Sequence, residues 1–228
     1  MTRRPYPPIT ADFPGAAYPV GSRVRFEHGG SAITGTVASL KRRQALVHSS
    51  QGRWNVPYGL LELVERSVAG DCSLAETETL ANELLRHHKA ASGLGNEWRF
   101  GFDLAPSRAG VCKYGERRID LSVSFCLRAS RAELTDTILH EIAHAIVGKA
   151  HNHDAVWADK AREIGCTGER THAVRHTAAR WAGECGCGKR WFRQRLSRKI
   201  ANGARCPKCQ GEIRWQRHDG EVSAPPPK

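Results

Sequence analysis

The segment His140-Glu141-Ile142-Ala143-His144 limits the fold of this 228-residue chain more than any other stretch. Side chains at positions i and i+4 of a helix lie on one face, so both imidazoles can bind one metal ion. Glu141 follows His140 directly and is placed to act as a general base. The capping-box pair Ser130 and Glu133, a run of apolar residues at helical spacing and a final Gly148 predict the required helix. The alternative interpretation is a buried helix with two solvated or hydrogen-bonded histidines.

A catalytic zinc ion needs a third protein ligand, and the sequence offers His151 and His153. The extended motif H-E-x-x-H-x-x-G-x-x-H does not fit, because Gly148 and His151 each stand one position too late. The only methionine is Met1, so no Met-turn can lie beneath the metal. These two observations exclude a metzincin, and the residues alone leave both histidines open.

The pentad together with His153-Asp154-Ala155-Val156-Trp157 resembles the SprT-like (Spartan-type) metalloproteases. The resemblance covers about residues 72–215 and is most specific at 136–157. It implies that His153 is the third ligand, with His151 as the alternative, and that Trp157 is a packing aromatic. The family usually has glycine directly after the third histidine, where this chain has Asp154.

Four of the eight cysteines form two short pairs near the C-terminus, with 18 residues between the pairs. This spacing is typical of a zinc ribbon, in which four thiolates close a tetrahedral shell around a structural zinc ion. The first pair is C-x-C, where such a ribbon usually has C-x-x-C. The sequence therefore predicts one structural zinc ion besides the catalytic one. Its predicted ligands are Cys185, Cys187, Cys206 and Cys209.

The net charge of +12 is concentrated around these cysteines. Residues 180–217 carry 11 Lys and Arg against two Asp and Glu, whereas residues 71–170 carry 13 against 15. A basic segment of this kind is typical of polyanion binding. Arginines interleaved with aromatics suit phosphate contacts and base stacking, although Trp181, Trp191 and Trp215 alternatively pack in the ribbon core. The predicted nucleic-acid contacts are Arg190, Trp191, Arg193, Arg195, Arg198 and Lys199.

The predicted fold class is α+β: a zincin-like HExxH metalloprotease domain, preceded by a small SH3-like β-barrel and followed by a zinc ribbon. The β module is predicted from short runs of alternating apolar and polar residues. Its basic turn at 41–43 faces either nucleic acid or solvent. Alternatively, the module binds a protein or supports the core of the next domain. The predicted domains are a disordered arm (1–18), an SH3-like or KOW-type β module (19–66), a SprT-like zincin domain (71–170), a basic zinc ribbon (180–217) and a disordered tail (218–228).

Within the zincin domain, Ser73 and Glu76 predict the start of a first helix that runs to about His88. A strand at 98–103 is followed by a hairpin that turns near 114–116. The hairpin is predicted to return through Ile119, Leu121, Val123 and Phe125. The metal helix and a helix through Trp157 to Ile164 complete the domain.

The resemblance implies a zinc endopeptidase, with Glu141 as general base, that cleaves proteins bound or crosslinked to DNA, as in DNA-protein crosslink repair. The alternatives are a non-catalytic zinc-containing protein that binds nucleic acid, and a metal-dependent hydrolase of another substrate. The expected partners are DNA-associated proteins and nucleic acid; the oligomeric state is open. No run of 18 apolar residues and no signal peptide are present, so we expect a cytoplasmic protein without a membrane span, at the nucleoid if the source is a cell.

Overall fold

The computed structural model describes residues 8–67, 70–168, 181–193, 195–201 and 203–217. Their architecture is mixed α/β. No helix among these residues is both long and apolar enough to cross a membrane. The predicted tail at 218–228 lies outside the described residues, as do positions 1–7 of the predicted arm.

The first five strands form one antiparallel sheet, in the order β4-β3-β2-β1-β5. Among the described residues no pairing joins the outer strands β4 and β5. The structure therefore shows an open five-stranded sheet, and the predicted closure into an SH3-like barrel is not shown. The strands are β1 Arg23–His28, β2 Ser31–Leu40, β3 Gln44–Ser49, β4 Gly52–Pro57 and β5 Glu62–Glu65.

The prediction of a disordered arm is wrong for residues 8–18. Ile9 forms a β-bridge with Phe102, and a short 3-10 helix spans Pro14–Ala17. Ile9 and Phe13 are both buried in the main hydrophobic cluster. The Pro-rich composition concealed these apolar anchors, which offset the entropy lost on ordering the segment.

The central domain contains a three-stranded sheet in the order β6-β8-β7, in which β6 is parallel and β7 antiparallel to β8. Buried side chains of this domain and of the N-terminal sheet belong to one hydrophobic cluster, so the two parts share a core. The elements are α1 Leu74–Ala91, β6 Arg99–Asp103, β7 Gly110–Lys113, β8 Arg118–Ser122, α2 Val123–Cys126, α3 Arg131–Val147 and α4 Ala155–Glu163.

The returning strand of the hairpin ends earlier than its sequence predicts. Strand β8 stops at Ser122, and Val123 and Phe125 lie in helix α2 instead. All four side chains of α2 are buried. A strand with one solvated face buries only alternate side chains. A helical turn surrounded by the core can bury all four, so the chain forms α2 here instead of continuing β8.

Both long helices begin where their capping boxes predict. Ser130 accepts a hydrogen bond from the Glu133 N–H, and the Glu133 carboxylate accepts one from the Ser130 N–H. Ser73 and Glu76 form the same reciprocal pair at the start of α1. Helix α3 ends at Gly148, whose φ of 84° suits glycine.

The C-terminal described segment forms a small antiparallel sheet in the order β10-β9-β11. Its buried cluster is formed by Cys185, Cys206 and Ile213, with Trp191 and Trp215 packed against it. So small a core agrees with a fold that relies on metal binding. The elements are β9 Trp181–Cys185, β10 Arg190–Arg193, α5 Arg198–Ala201 and β11 Ile213–Arg217.

Candidate metal centres

Three histidine side chains converge beside helix α3. His140 and His144 are one turn apart on the helix, and both are buried. His153, from the loop after α3, places its Nε2 atom 3.0 Å from the Nε2 atoms of both. Three nitrogens on one tetrahedral zinc ion would lie about 3.3 Å apart, given a Zn–N distance of about 2.0 Å. The three histidines therefore fit a zinc ion as ligands.

Both candidates for the third ligand lie in the loop after α3, but only His153 belongs to the histidine cluster. His151 Nδ1 lies 2.9 Å from the Asp154 carboxylate, and His151 is not part of the histidine cluster. Asp154 also caps α4 by accepting a hydrogen bond from the Trp157 N–H at 3.0 Å. Asp154, at the usual glycine position, thus begins α4 and holds His151 away from His153.

Trp157 packs against all three histidine rings. Its ring centroid lies 4.7 Å from that of His140, 5.1 Å from that of His144 and 4.6 Å from that of His153. Trp157 is only 1% exposed, as expected for the packing aromatic. It restricts the rotamers of the imidazoles and excludes water from one side of them.

The electrostatic environment keeps an imidazole of the cluster neutral. Burial, together with the neighbouring His153, lowers the pKa of His144 to about 4. A neutral imidazole has the free lone pair that metal coordination requires. The histidine cluster is therefore suited to a cation before any ion binds.

Glu141 is buried between α3 and strand β7. Burial raises the pKa of Glu141 to about 8, although the charge of Arg108 and the backbone N–H of Cys112 act in the opposite direction. A Cβ added at Gly110 would lie 2.8 Å from Glu141 Oε1, so β7 approaches this carboxyl closely. A carboxyl with such a pKa can both accept and release a proton near neutral pH. The sequence did not reveal this contact with β7.

The four C-terminal cysteines form a second cluster whose sulfur atoms all lie within 4.8 Å of one another. The Sγ atoms of Cys185 and Cys209 are 3.4 Å apart, and those of Cys187 and Cys206 are 3.6 Å apart. A disulfide would require about 2.05 Å, whereas sulfurs on one tetrahedral zinc ion lie about 3.8 Å apart. The cluster therefore fits a closed zinc shell, including the short C-x-C pair.

Two tight turns present these sulfurs. Burial raises the pKa of Cys206, but the N–H groups of Cys209 and Lys208, together with the neighbouring thiols of Cys187 and Cys209, outweigh it and lower that pKa. A Cβ at Gly211 would lie 3.3 Å from the sulfurs of both Cys185 and Cys209. Donors that favour thiolate, and a glycine that leaves room for the sulfurs, are both expected of a metal-binding turn.

The ribbon aromatics divide into two groups. Trp191 and Trp215 pack on the cysteine cluster, as the alternative interpretation holds. Trp181 instead pairs across the sheet with Arg193 and Arg217, and the Arg217 guanidinium lies 5.2 Å from its ring. The sequence had not singled out Trp181 and Arg217 as a surface pair.

The other predicted nucleic-acid contacts are spread over the ribbon. The guanidinium of Arg190 lies 5.7 Å from the ring of Phe192, and Arg195 and Arg198 are exposed. Lys199 lies in α5, but its side chain is outside the described set.

Fold and sites together define a mixed α/β protein with a three-histidine centre on a buried helix and a four-cysteine cluster near its C-terminus. Residues 66–177 match the model of the SprT-like family, so the chain contains a SprT-like domain. This family suggests a metallopeptidase. A search of curated proteins and one of solved structures found no significant match to the chain.

Proposed function

We propose that the chain is a zinc-dependent endopeptidase that cleaves proteins bound or crosslinked to DNA. The observation that carries the proposal is the position of Glu141: a buried carboxyl one residue after a member of the three-histidine cluster. A site that only held a metal for structure would not need this acid. His140, His144 and His153 would hold a catalytic zinc ion, and the four cysteines a structural one.

The proposed chemistry assigns a proton-transfer role to Glu141. A zinc ion at the three histidines would supply a Lewis acid that polarises the scissile carbonyl. The Glu141 carboxylate accepts a proton from the attacking water and then donates it to the amine nitrogen that leaves. Burial raises the pKa of Glu141, which favours its holding the proton until it is donated to the amine; a zinc ion at the histidines would act in the opposite direction and favour the carboxylate that first accepts it.

Strand β7 offers a place for the substrate backbone. Among the described residues, β7 pairs only with β8, so its other edge has no strand partner. On the β8 side, the carbonyl of Ala109 accepts a hydrogen bond from the Ser122 N–H. On the opposite edge, the Cys112 N–H donates to Glu141. An extended peptide can add to such an edge through backbone hydrogen bonds. Binding of this kind gives little side-chain specificity, in agreement with the loose sequence preference that the family resemblance implies.

The basic ribbon supports the nucleic-acid part of the proposal. It carries nine more positive than negative charges between residues 180 and 217. The row of Arg193, Trp181 and Arg217 combines two cations with an aromatic face. Such a surface suits phosphate contacts with base stacking. Tethering to DNA would raise the local concentration of protein substrates bound there. The proposal therefore includes work at the nucleoid, if the source is a cell.

The second candidate is a non-catalytic zinc-containing protein that binds nucleic acid. The closed cysteine shell and the charge of the ribbon favour it, because neither depends on Glu141. Both candidates bind DNA, so only the consequence of losing the acid separates them.

The test compares wild type with Glu141→Gln, using a DNA-binding protein as substrate with and without DNA. We expect cleavage to fall by a factor of about 10² to 10⁴, the usual contribution of a general base, while bound zinc stays at the wild-type level. Glu83→Gln, at an exposed position on α1, is the matched control and should cleave normally. Equal fragment yields from wild type and Glu141→Gln would reject the mechanism and favour the second candidate.

A further inference from the structure

A polar row crosses the outer face of the N-terminal sheet. The strand register pairs Arg23 with Thr36, Thr36 with His48, and His48 with Arg53. Directly paired residues share a face, so these four side chains lie in line across β1 to β4. Their chain neighbours Val24, Val37 and Val47 are buried in the core. The row therefore faces away from the core.

A groove of about 410 Å³ opens on this face. Its lining contains a guanidinium, an imidazole and four hydroxyl groups, and it contains neither a carboxylate nor an apolar side chain. The lining residues are Arg23, Thr34, Gly35, Thr36, His48, Ser49 and Ser50.

Two neighbouring arginines of β1 differ in how tightly glutamates of β5 hold them. Arg25 donates to Glu62 at 2.7 Å, a charge-assisted hydrogen bond. Arg23 lies 3.6 Å from Glu65, beyond hydrogen-bond distance, and its side chain is 58% exposed. Arg23 can therefore turn towards an anion in the groove at little cost, whereas Arg25 would have to break its ion pair.

We propose that this groove binds the phosphodiester backbone of nucleic acid, at a site separate from the ribbon. Guanidinium and hydroxyl groups donate hydrogen bonds to phosphate oxygens. From β1 to β3 the groove spans two strand spacings, about 10 Å, which matches about three stacked nucleotides at about 3.4 Å each. An extended acidic peptide presents its carboxylates alternately on two sides, so it would supply only half of its charges to the groove.

The groove lining contains no Phe, Tyr or Trp ring on which a base could stack. Contacts to phosphate alone carry no sequence information, so binding here is independent of sequence. The inference requires neither zinc nor Glu141, and it holds whether or not the chain is a protease.

The test uses the full chain and a labelled, mixed-sequence, single-stranded DNA oligonucleotide. Arg193→Gln and Arg217→Gln are introduced first, to weaken binding by the ribbon. In this background Arg23→Gln should lower the affinity about 3- to 10-fold. It should also make the negative slope of log K against log salt shallower by about 0.7, the value for one lost phosphate contact on a single strand. Arg25→Gln is the matched control: it has the same charge change on the same strand and face, outside the groove lining, and should change affinity less than about 2-fold.

A second variant, Thr36→Glu, places a carboxylate in the groove while both arginines remain. It should weaken binding at least as much as Arg23→Gln, with an unchanged thermal unfolding midpoint to show that the sheet is intact.

Equal losses of affinity in Arg23→Gln and Arg25→Gln, or no loss in Arg23→Gln and Thr36→Glu, would overturn the proposal. Competition by a glutamate-rich peptide but not by unlabelled oligonucleotide would reassign the groove to a protein partner. Saturation by inorganic phosphate alone, with oligonucleotide affinity independent of Arg23, would reassign it to a free anion.

Discussion

At the scale of single residues, His153 reaches the histidine cluster from a left-handed backbone, with φ of 57°. Few residues with a side chain adopt this conformation, although histidine is among those enriched in it. Sequence spacing could not distinguish His153 from His151, because the path of a loop does not follow from spacing. The resemblance implied His153, and the geometry places its nitrogen in the cluster while His151 pairs with Asp154.

The third ligand can be tested by counting bound metal. His153→Ala removes one nitrogen from the cluster, so we expect this variant to retain about one zinc ion per chain, in the cysteine cluster, instead of two. His151→Ala is the matched control, because it removes a neighbouring imidazole that lies outside the cluster, and it should retain both ions. Elemental analysis of purified protein gives the count. If His151→Ala loses one ion and His153→Ala does not, the third ligand is His151 and not His153.

At the scale of elements, α3 and β7 approach each other so closely that only glycine fits at position 110. A Cβ there would lie 2.8 Å from Glu141 Oε1 and 2.9 Å from Leu121 Cδ2. Strand β7 is in turn tied to β8 by the buried Asp120, which accepts hydrogen bonds from Lys113 and Arg118. The hairpin therefore fixes the position of Glu141.

Gly110→Ala tests this packing. The added methyl must displace Glu141 or move β7, so we expect a loss of about 1–3 kcal/mol in the free energy of unfolding, together with reduced peptidase activity. Gly115→Ala, in the turn of the same hairpin, is the matched control, because a Cβ there meets nothing within 4 Å. Denaturant unfolding should change by less than about 0.5 kcal/mol in that control. Equal stabilities of the two variants would contradict the close approach.

Local signals were enough to predict some element boundaries and not others. The starts of α1 and α3 follow from capping boxes, in which a serine and a glutamate three residues later satisfy each other's backbone. The end of β8 and helix α2 depend instead on burial from every side, which periodicity within the segment does not reveal. The ordered residues 8–18 likewise depend on a partner strand, β6, about ninety residues away in sequence.

At the scale of the whole molecule, composition predicted the charge distribution but not how the parts pack. The N-terminal sheet and the SprT-like domain share one hydrophobic cluster, which only distant contacts could reveal. The excess of positive charge lies instead in the ribbon, whose core is a separate small cluster around cysteines. Substitutions of the ribbon cations should therefore leave the stability of the SprT-like domain unchanged.

The salt dependence of DNA binding tests the role of the ribbon surface. Because affinity from phosphate contacts arises from released counterions, binding of the intact chain to duplex DNA should weaken steeply as salt rises. Arg193→Gln with Arg217→Gln removes two ribbon cations beside Trp181, and should reduce the slope of log K against log salt by about 1.8. Arg86→Gln with Arg99→Gln makes the same charge change at exposed positions of the SprT-like domain, and should leave the slope nearly unchanged. Fluorescence anisotropy over a salt series measures both. A slope that falls equally in the two double variants would mean that net charge, and not the ribbon surface, holds the DNA.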